Sequence, residues 1–225
     1  MKRKGYQQFI IERVNLYPQN TPIYTVEIAR TLAIHFKLDF DHARGLVNVT
    51  LPRIAEKYDV VRYRKGVYYR AQKTVFGRTK LNPALVNRDR YINQFGKVIG
   101  YETGAAFLNR IGLTTQIPKY KKYATNQFKH RGTRTDKNLQ VIIRKPKLQV
   151  TTENYEYLQV LDAIENKDRV AFDHPEPEKV LYAYITKKEL DIHKLFKIAE
   201  ENYNQNTRNR IFRMVAVGLI ETSFR

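Results

Sequence analysis

Cysteine is absent from the 225 residues, which removes disulfides, thiolate nucleophiles and cysteine-based zinc sites together. Long apolar runs are missing as well. The N-terminus, MKRKGYQQFI, is basic, yet no apolar stretch of membrane length follows it. Neither a signal peptide nor a membrane span is expected, and the chain reads as cytoplasmic. The five histidines are His35, His42, His130, His174 and His193. They show no helical metal-pair spacing and neighbour no carboxylate in a known ligand pattern, so no metal is expected. The stretch from Gly100 to Gly104 lacks the Lys-Ser/Thr that a phosphate-binding loop needs. Acids are scarce between residues 76 and 150, where only Asp89, Glu102 and Asp136 occur, too scattered for a metal-nuclease centre. Asp173, Glu176 and Glu178, interrupted by Pro175 and Pro177, read as a turn and a helix start. The expectation is a protein without cofactor or catalysis.

What the chain has in excess is positive charge. Lys and Arg number 41 against 22 acids, a net +19, and charge that one-sided attracts polyanions, phosphate backbones foremost. The excess is uneven: residues 1–75 carry net +8, residues 76–150 net +13 and residues 151–225 net −2. A polyanion-facing surface is therefore expected over the first two thirds. With 42% apolar residues the chain has enough to build a core.

The apolar periodicity divides the chain into two domains, 1–75 and 76–225, with an α+β fold overall. Residues 6–17 set Ile10, Val14 and Tyr17 on one helical face, and Pro18, Asn20 and Pro22 end that helix. A second helix is expected over Val26–Lys37, capped by Thr25. A third follows Asp39 and Asp41, with Ala43, Val47, Leu51, Ile54 and Tyr58 as its buried stripe. The period then shifts to two: VVRYRKGVYYR at 60–70 reads as two strands around an Arg64-Lys65-Gly66 tip. Three helices and a basic hairpin make a winged helix-turn-helix. Residues 71–98 read as a connection. Beyond them a larger α+β domain is expected, strands first and then helices. It comprises a short helix from Gly100 stopped by Gly112, strands at 119–126, 139–144 and 147–151, and helices near 153–165, 176–186, 188–203 and 207–219. Asn206 or Thr207 would cap the last of these.

In a helix-turn-helix the third helix enters the major groove. Its outward positions include His42, Arg44, Gly45, Asn48, Val49, Thr50 and Arg53, with Lys57 near the end. Arginine forks onto guanine O6 and N7, and asparagine onto adenine N6 and N7, so Arg44, Asn48 and Arg53 are the expected base readers. Arg62, Arg64 and Lys65 of the wing, and Lys2, Arg3 and Lys4 in a disordered arm, would hold phosphates and supply affinity rather than sequence choice. The plain alternative is a helix surface charged because it is solvated. Pro52 fits the recognition helix badly, because proline removes a backbone donor and clashes with the carbonyl four residues back. Either the helix kinks at 48–52, or its regular part begins near Leu51 and Asn48 and Arg44 fall in a loop.

The middle region carries a second basic surface: Lys119, Lys121, Lys122, Lys129, Arg131 and Arg134, with Lys137 beyond. Tyr120, Tyr123, Phe128 and His130 are interleaved with it. Basic and aromatic residues in that mixture suit RNA or single strands, where rings stack on bases; a solvated loop beside ordinary strand aromatics is the other reading.

The string LPRIAEKYDVVRYRKGVYYR, the later GYETGAAFLNRIGLTTQIP and the terminal NTRNRIFRMVAVGLIE together resemble the AbiEi-type transcriptional regulators, over about residues 5 to 222. The resemblance implies a bacterial antitoxin of a type IV abortive-infection toxin–antitoxin system, active in phage defence. Its N-terminal domain would bind operator inverted repeats in double-stranded DNA and repress its own operon. Its C-terminal domain would counteract a nucleotidyltransferase-like toxin without an obligatory stable complex. Pro52 departs from the family pattern. The alternatives are an RNA-binding protein using the middle surface and a solitary regulator without a toxin.

Overall fold

The computed structural model describes residues 2–94, 96–166 and 172–222, with side chains for 5–94, 96–166 and 172–218. The fold is α+β, and the chain divides into two compact units, Met1–Val86 and Asn87–Arg225.

The first unit opens with α1 (Lys2–Leu16), β1 (Ile23–Tyr24), α2 (Thr25–Phe36) and α3 (Phe40–Ile54). Three residues separate α2 from α3. Lys37 takes a left-handed conformation (φ 51°, ψ 47°) and its N–H closes the end of α2 on Ala33 and Ile34. Asp39 then starts α3, its carboxylate accepting from the N–H groups of Asp41 and His42 at 2.8 and 3.2 Å, which satisfies donors the helix itself leaves open. The expected cap of α2 is displaced: Tyr24 occupies that position without a side-chain bond, and Thr25 lies buried inside the helix.

Pro52 does not split α3, which runs unbroken from Phe40 to Ile54. A proline two residues before the helix end forfeits one intrahelical bond, that to the Asn48 carbonyl. The reading that put Arg44 and Asn48 in a loop is thereby overturned. The helix stops at Ile54, so Lys57 and Tyr58 belong to the turn that follows it.

Strands β2 (Val60–Arg64) and β3 (Val67–Arg70) form the expected antiparallel hairpin, with Gly66 at φ 78° in its tip. β1 adds to the far side of β3, pairing Ile23 with Tyr68, so the sheet order is β1-β3-β2. One core joins these parts: Ile10 and Val14 of α1, Ile28 and Leu32 of α2, Val47, Leu51 and Ile54 of α3, and Val60 and Tyr68 of the sheet. Arg70 serves structure rather than surface, its guanidinium donating to the carbonyls of Asn15 and Tyr17 at the end of α1. A short hairpin of β4 (Lys73–Thr74) and β5 (Gly77–Arg78) follows in the stretch expected to be a connection. Asp59 fixes it by pairing with Lys73 and Arg78 at 3.2 and 3.1 Å.

The boundary between units falls within α4 (Pro83–Tyr91). The second unit then lays down β6 (Asn93–Gln94), β7 (Lys97–Val98), β8 (Gly100–Thr103), α5 (Ala105–Arg110), β9 (Lys121–Thr125), β10 (Thr133–Asp136) and β11 (Val141–Arg144). After them come α6 (Tyr155–Glu165), α7 (Pro177–Lys187), α8 (Ile192–Asn202) and α9 (Gln205–Thr222). The four-stranded sheet has the order β10-β11-β9-β8, with β9 and β11 parallel and the remaining pairs antiparallel. Helix α6 is buried from Tyr157 to Ile164. Its Leu158 packs with Tyr101, Ala124 and Val150, while Val160, Leu161 and Ile164 join Leu181, Ile185, Leu195, Ile211 and Met214 of the last three helices.

Several sequence expectations give way here. Residues 100–103 are strand, not helix, and the helix holds only Ala105–Arg110. Residues 147–151 form no strand. Asn204 rather than Asn206 or Thr207 caps α9, its side-chain oxygen accepting from the Thr207 N–H at 2.9 Å.

Gly100 has a packing reason to be glycine. A Cβ there would overlap the carbonyl oxygens of Tyr91 and Ala124, two backbone atoms that cannot swing aside. Gly100→Ala is expected to cost about 1–3 kcal/mol of stability, the usual range for overpacking, read as a lower urea midpoint at unchanged slope.

The Thr114–Thr115 pair ties the loop after α5 to Asp173. The carboxylate accepts from the Thr115 N–H at 2.8 Å, from its hydroxyl at 2.7 Å and from the Thr114 hydroxyl at 3.0 Å. The backbone bond from Thr115, then its hydroxyl and that of Thr114, hold Asp173 below the ordinary aspartate value. A lowered folded pKa contributes stability above the unfolded value and loses it as pH falls through the folded one. Acidification is therefore expected to release this loop, and an Asp173 carboxyl resonance titrating at or above the ordinary aspartate pKa would contradict the tie.

Candidate nucleic-acid interfaces

Helix α3 is two-faced because its apolar residues recur at helical spacing. Ala43, Val47, Leu51 and Ile54 are buried, which turns the intervening positions outward. His42, Arg44, Gly45, Asn48, Val49 and Arg53 are exposed, and Thr50 is half-buried. Asn48 and Val49 follow Arg44 by about one turn, and Arg53 follows them by another. Arg44 lies 3.6 Å from Asp41, with both side chains largely exposed. A surface pair of that kind is worth about 0–1 kcal/mol and yields readily to a phosphate or base. Val49 is 51% exposed, an apolar group suited to a thymine methyl.

The hairpin residues sit in the same unit. Arg62 and Lys65 are exposed and Arg64 is half-buried. Lys57 is exposed in the turn after α3, its ammonium 5.7 Å from the centre of the Tyr58 ring. Lys2, Arg3 and Lys4, expected as a disordered arm, form the first turn of α1; their side chains lie outside the described residues.

The second basic surface is dispersed. Lys119 and Lys129 are exposed, and Lys121 pairs with the nearly buried Glu102 at 3.5 Å, beside Arg110 at 3.6 Å. Arg134, on β10, lies over the Phe128 ring at 5.8 Å. Two of the four aromatics expected to stack on bases are in the core: Tyr123 is 3% and Phe128 8% exposed. Tyr123 instead stacks on Tyr91 at 5.8 Å between centroids. A base-stacking platform on this stretch thus loses two of its rings to packing.

The structure draws Lys122 and Arg131 into a different site, a cleft of about 480 Å³ that also takes Arg144, Lys145 and Lys147. Registers explain the convergence. Thr103 of β8 faces Lys122 of β9, and Thr133 of β10 faces Arg144 of β11, and residues directly opposite in register share a sheet face. Behind the cleft, Asp162 of α6 is fully buried and accepts from Arg144, from the Tyr101 hydroxyl at 2.9 Å and from the Thr103 hydroxyl at 3.3 Å. All three donors use Oδ2. Burial raises the Asp162 carboxyl above the ordinary aspartate value, with the Arg144 guanidinium and the Tyr101 hydroxyl opposing it. Burial also works to lower Arg144, and the Asp162 charge overcomes it, leaving that guanidinium held in its charged form. The RKPK string at 144–147 was the available sequence signal for this cleft. Asp162, eighteen residues on, gave none.

No helix among the described residues is long and apolar enough to cross a membrane, and no group of three potential metal-binding side chains occurs among them. No family model matches this chain, and no curated protein matches it.

Proposed function

We propose that residues 1–86 form a winged helix-turn-helix and that the protein is a sequence-specific DNA-binding regulator. The observation that carries this reading is the outward face of α3, where Arg44, Asn48, Val49 and Arg53 stand exposed opposite a buried apolar stripe. Supporting it are the element order α1-β1-α2-α3-β2-β3 with sheet order β1-β3-β2, the three-residue turn before α3 and the exposed Arg62 and Lys65 of the hairpin. In this reading α3 enters the major groove and forms hydrogen bonds to base edges. The hairpin tip neutralises phosphates and fixes the register.

The regulator is further proposed to be an autorepressing antitoxin whose second unit counteracts a nucleotidyltransferase-like toxin. That part rests on the resemblance of the three sequence strings to AbiEi-type regulators. A footprint on inverted repeats upstream of the gene, with affinity falling steeply as salt rises, is the expected outcome. Binding that DNA no better than random DNA at physiological salt would dismiss the repressor. Co-expression with a toxic downstream gene product tests the antitoxin role separately: growth should be restored by the full chain, and no rescue would leave a solitary regulator.

A further inference from the structure

We infer that the basic cleft of the second unit binds the 5′-phosphate group of a nucleotide, free or at a strand end, a role distinct from duplex DNA recognition. Its volume of about 480 Å³ lies in the range of small-molecule sites. A concavity of that size accepts one nucleotide and excludes the convex body of a duplex.

Charge identifies the ligand class. Lys122, Arg131, Arg144, Lys145 and Lys147 line the cleft against one acid, Glu165, which already pairs with Lys147. Arg144 is the anchor. Its side chain is 19% exposed while its partner Asp162 is sealed at 0%. Nη2 donates to Asp162 and Nη1 to the Lys145 carbonyl at 3.0 Å, so the guanidinium is held in place at the cleft wall. A positive charge fixed in this way, beside the exposed Arg131 and Lys145, suits phosphate oxygens. The Thr133 hydroxyl supplies a neutral donor to the cleft, whereas that of Thr103 is already given to Asp162. Gly104 and Gly132, at φ 70° and 86°, leave the backbone open to close approach, as phosphate-holding loops require. Lys147 also lies 4.0 Å above the Tyr203 ring, which limits where its ammonium can go.

Two sources share this chemistry: a free nucleoside triphosphate and the 5′-phosphate of a single strand. Calorimetric titration of the full chain with sodium tripolyphosphate, ATP, and 5′-phosphorylated and 5′-hydroxyl oligonucleotides separates them. Saturable binding of tripolyphosphate and ATP supports the site with a free nucleotide as source. Preference for the 5′-phosphorylated strand over its 5′-hydroxyl twin supports it with a strand end.

In either case the rim variant R131A/K145A should bind at least about tenfold more weakly. The charge-matched K119A/K129A, outside the cleft, should stay within about twofold. Both variants remove exposed side chains, so folding is preserved. Absence of binding by every probe at low salt, indifference to the 5′-phosphate without tripolyphosphate binding, or equal weakening in both variants would overturn the inference. It stands on the second unit alone, and its failure would leave the DNA-binding proposal intact.

Discussion

Alanine at Arg44, Asn48 and Arg53 together is expected to abolish sequence discrimination while leaving the first unit folded. All three side chains are exposed on α3, so their removal takes nothing from the core of Val47, Leu51 and Ile54. Each bidentate contact of this type contributes about 1–3 kcal/mol of discrimination. Losing three should reduce the preference for the upstream sequence over a shuffled one by at least about a hundredfold. Arg62→Ala with Lys65→Ala should behave differently. Contacts to phosphate carry no sequence information, so affinity should fall for both DNAs alike, and the salt slope should shrink by about 0.9 for each phosphate no longer neutralised. Fluorescence anisotropy on the two fragments at several salt concentrations measures both effects. A triple variant that discriminates as well as the parent would remove α3 from the interface.

Asp162→Ala should be the most damaging single substitution in the second unit. The carboxylate is fully buried and holds Arg144, Tyr101 and Thr103 at one oxygen. Its removal strands a mostly buried guanidinium and two hydroxyls. Breaking a buried ion pair from one side costs about 3–5 kcal/mol, enough to take away a large share of the stability of a domain this size. Chemical denaturation should show the loss in the transition of the second unit, and Arg144→Met with Asp162→Leu should recover much of it, since an apolar pair restores packing without charge. A loss below about 1 kcal/mol would mean the pair behaves as a surface contact.

The first unit was legible because its signals are local. The stripe Ala43, Val47, Leu51 and Ile54 repeats at helical spacing, and the alternation at 60–70 marks two strands around Gly66. β1 is not legible because two residues directly after Pro22 carry no period. In the second unit the sheet is harder to read. β8 is buried along its whole length, so Gly100–Thr103 shows no alternation, and the small residues after it suggest helix. β10, Thr133–Asp136, is a mainly exposed edge strand without an apolar residue.

At 147–151 Leu148 and Val150 alternate as in a strand, yet no strand forms. There the Asn126 amide takes the place of a neighbouring strand, accepting from the Val150 N–H at 2.9 Å and donating to its carbonyl at 2.8 Å. The exposed face of α3 could be named residue by residue since one helix carries it. The cleft around Arg144 gathers side chains from four strands and a helix, a convergence that only the sheet order creates.

The location of DNA contact is the claim on which the regulator reading turns. Photo-crosslinking of the full chain to bromodeoxyuridine-substituted upstream DNA, followed by peptide mapping, tests it most directly. Crosslinks within residues 42–53 of α3 and 62–65 of the hairpin are the predicted result. Crosslinks confined to residues 119–147, with α3 unmarked, would contradict it.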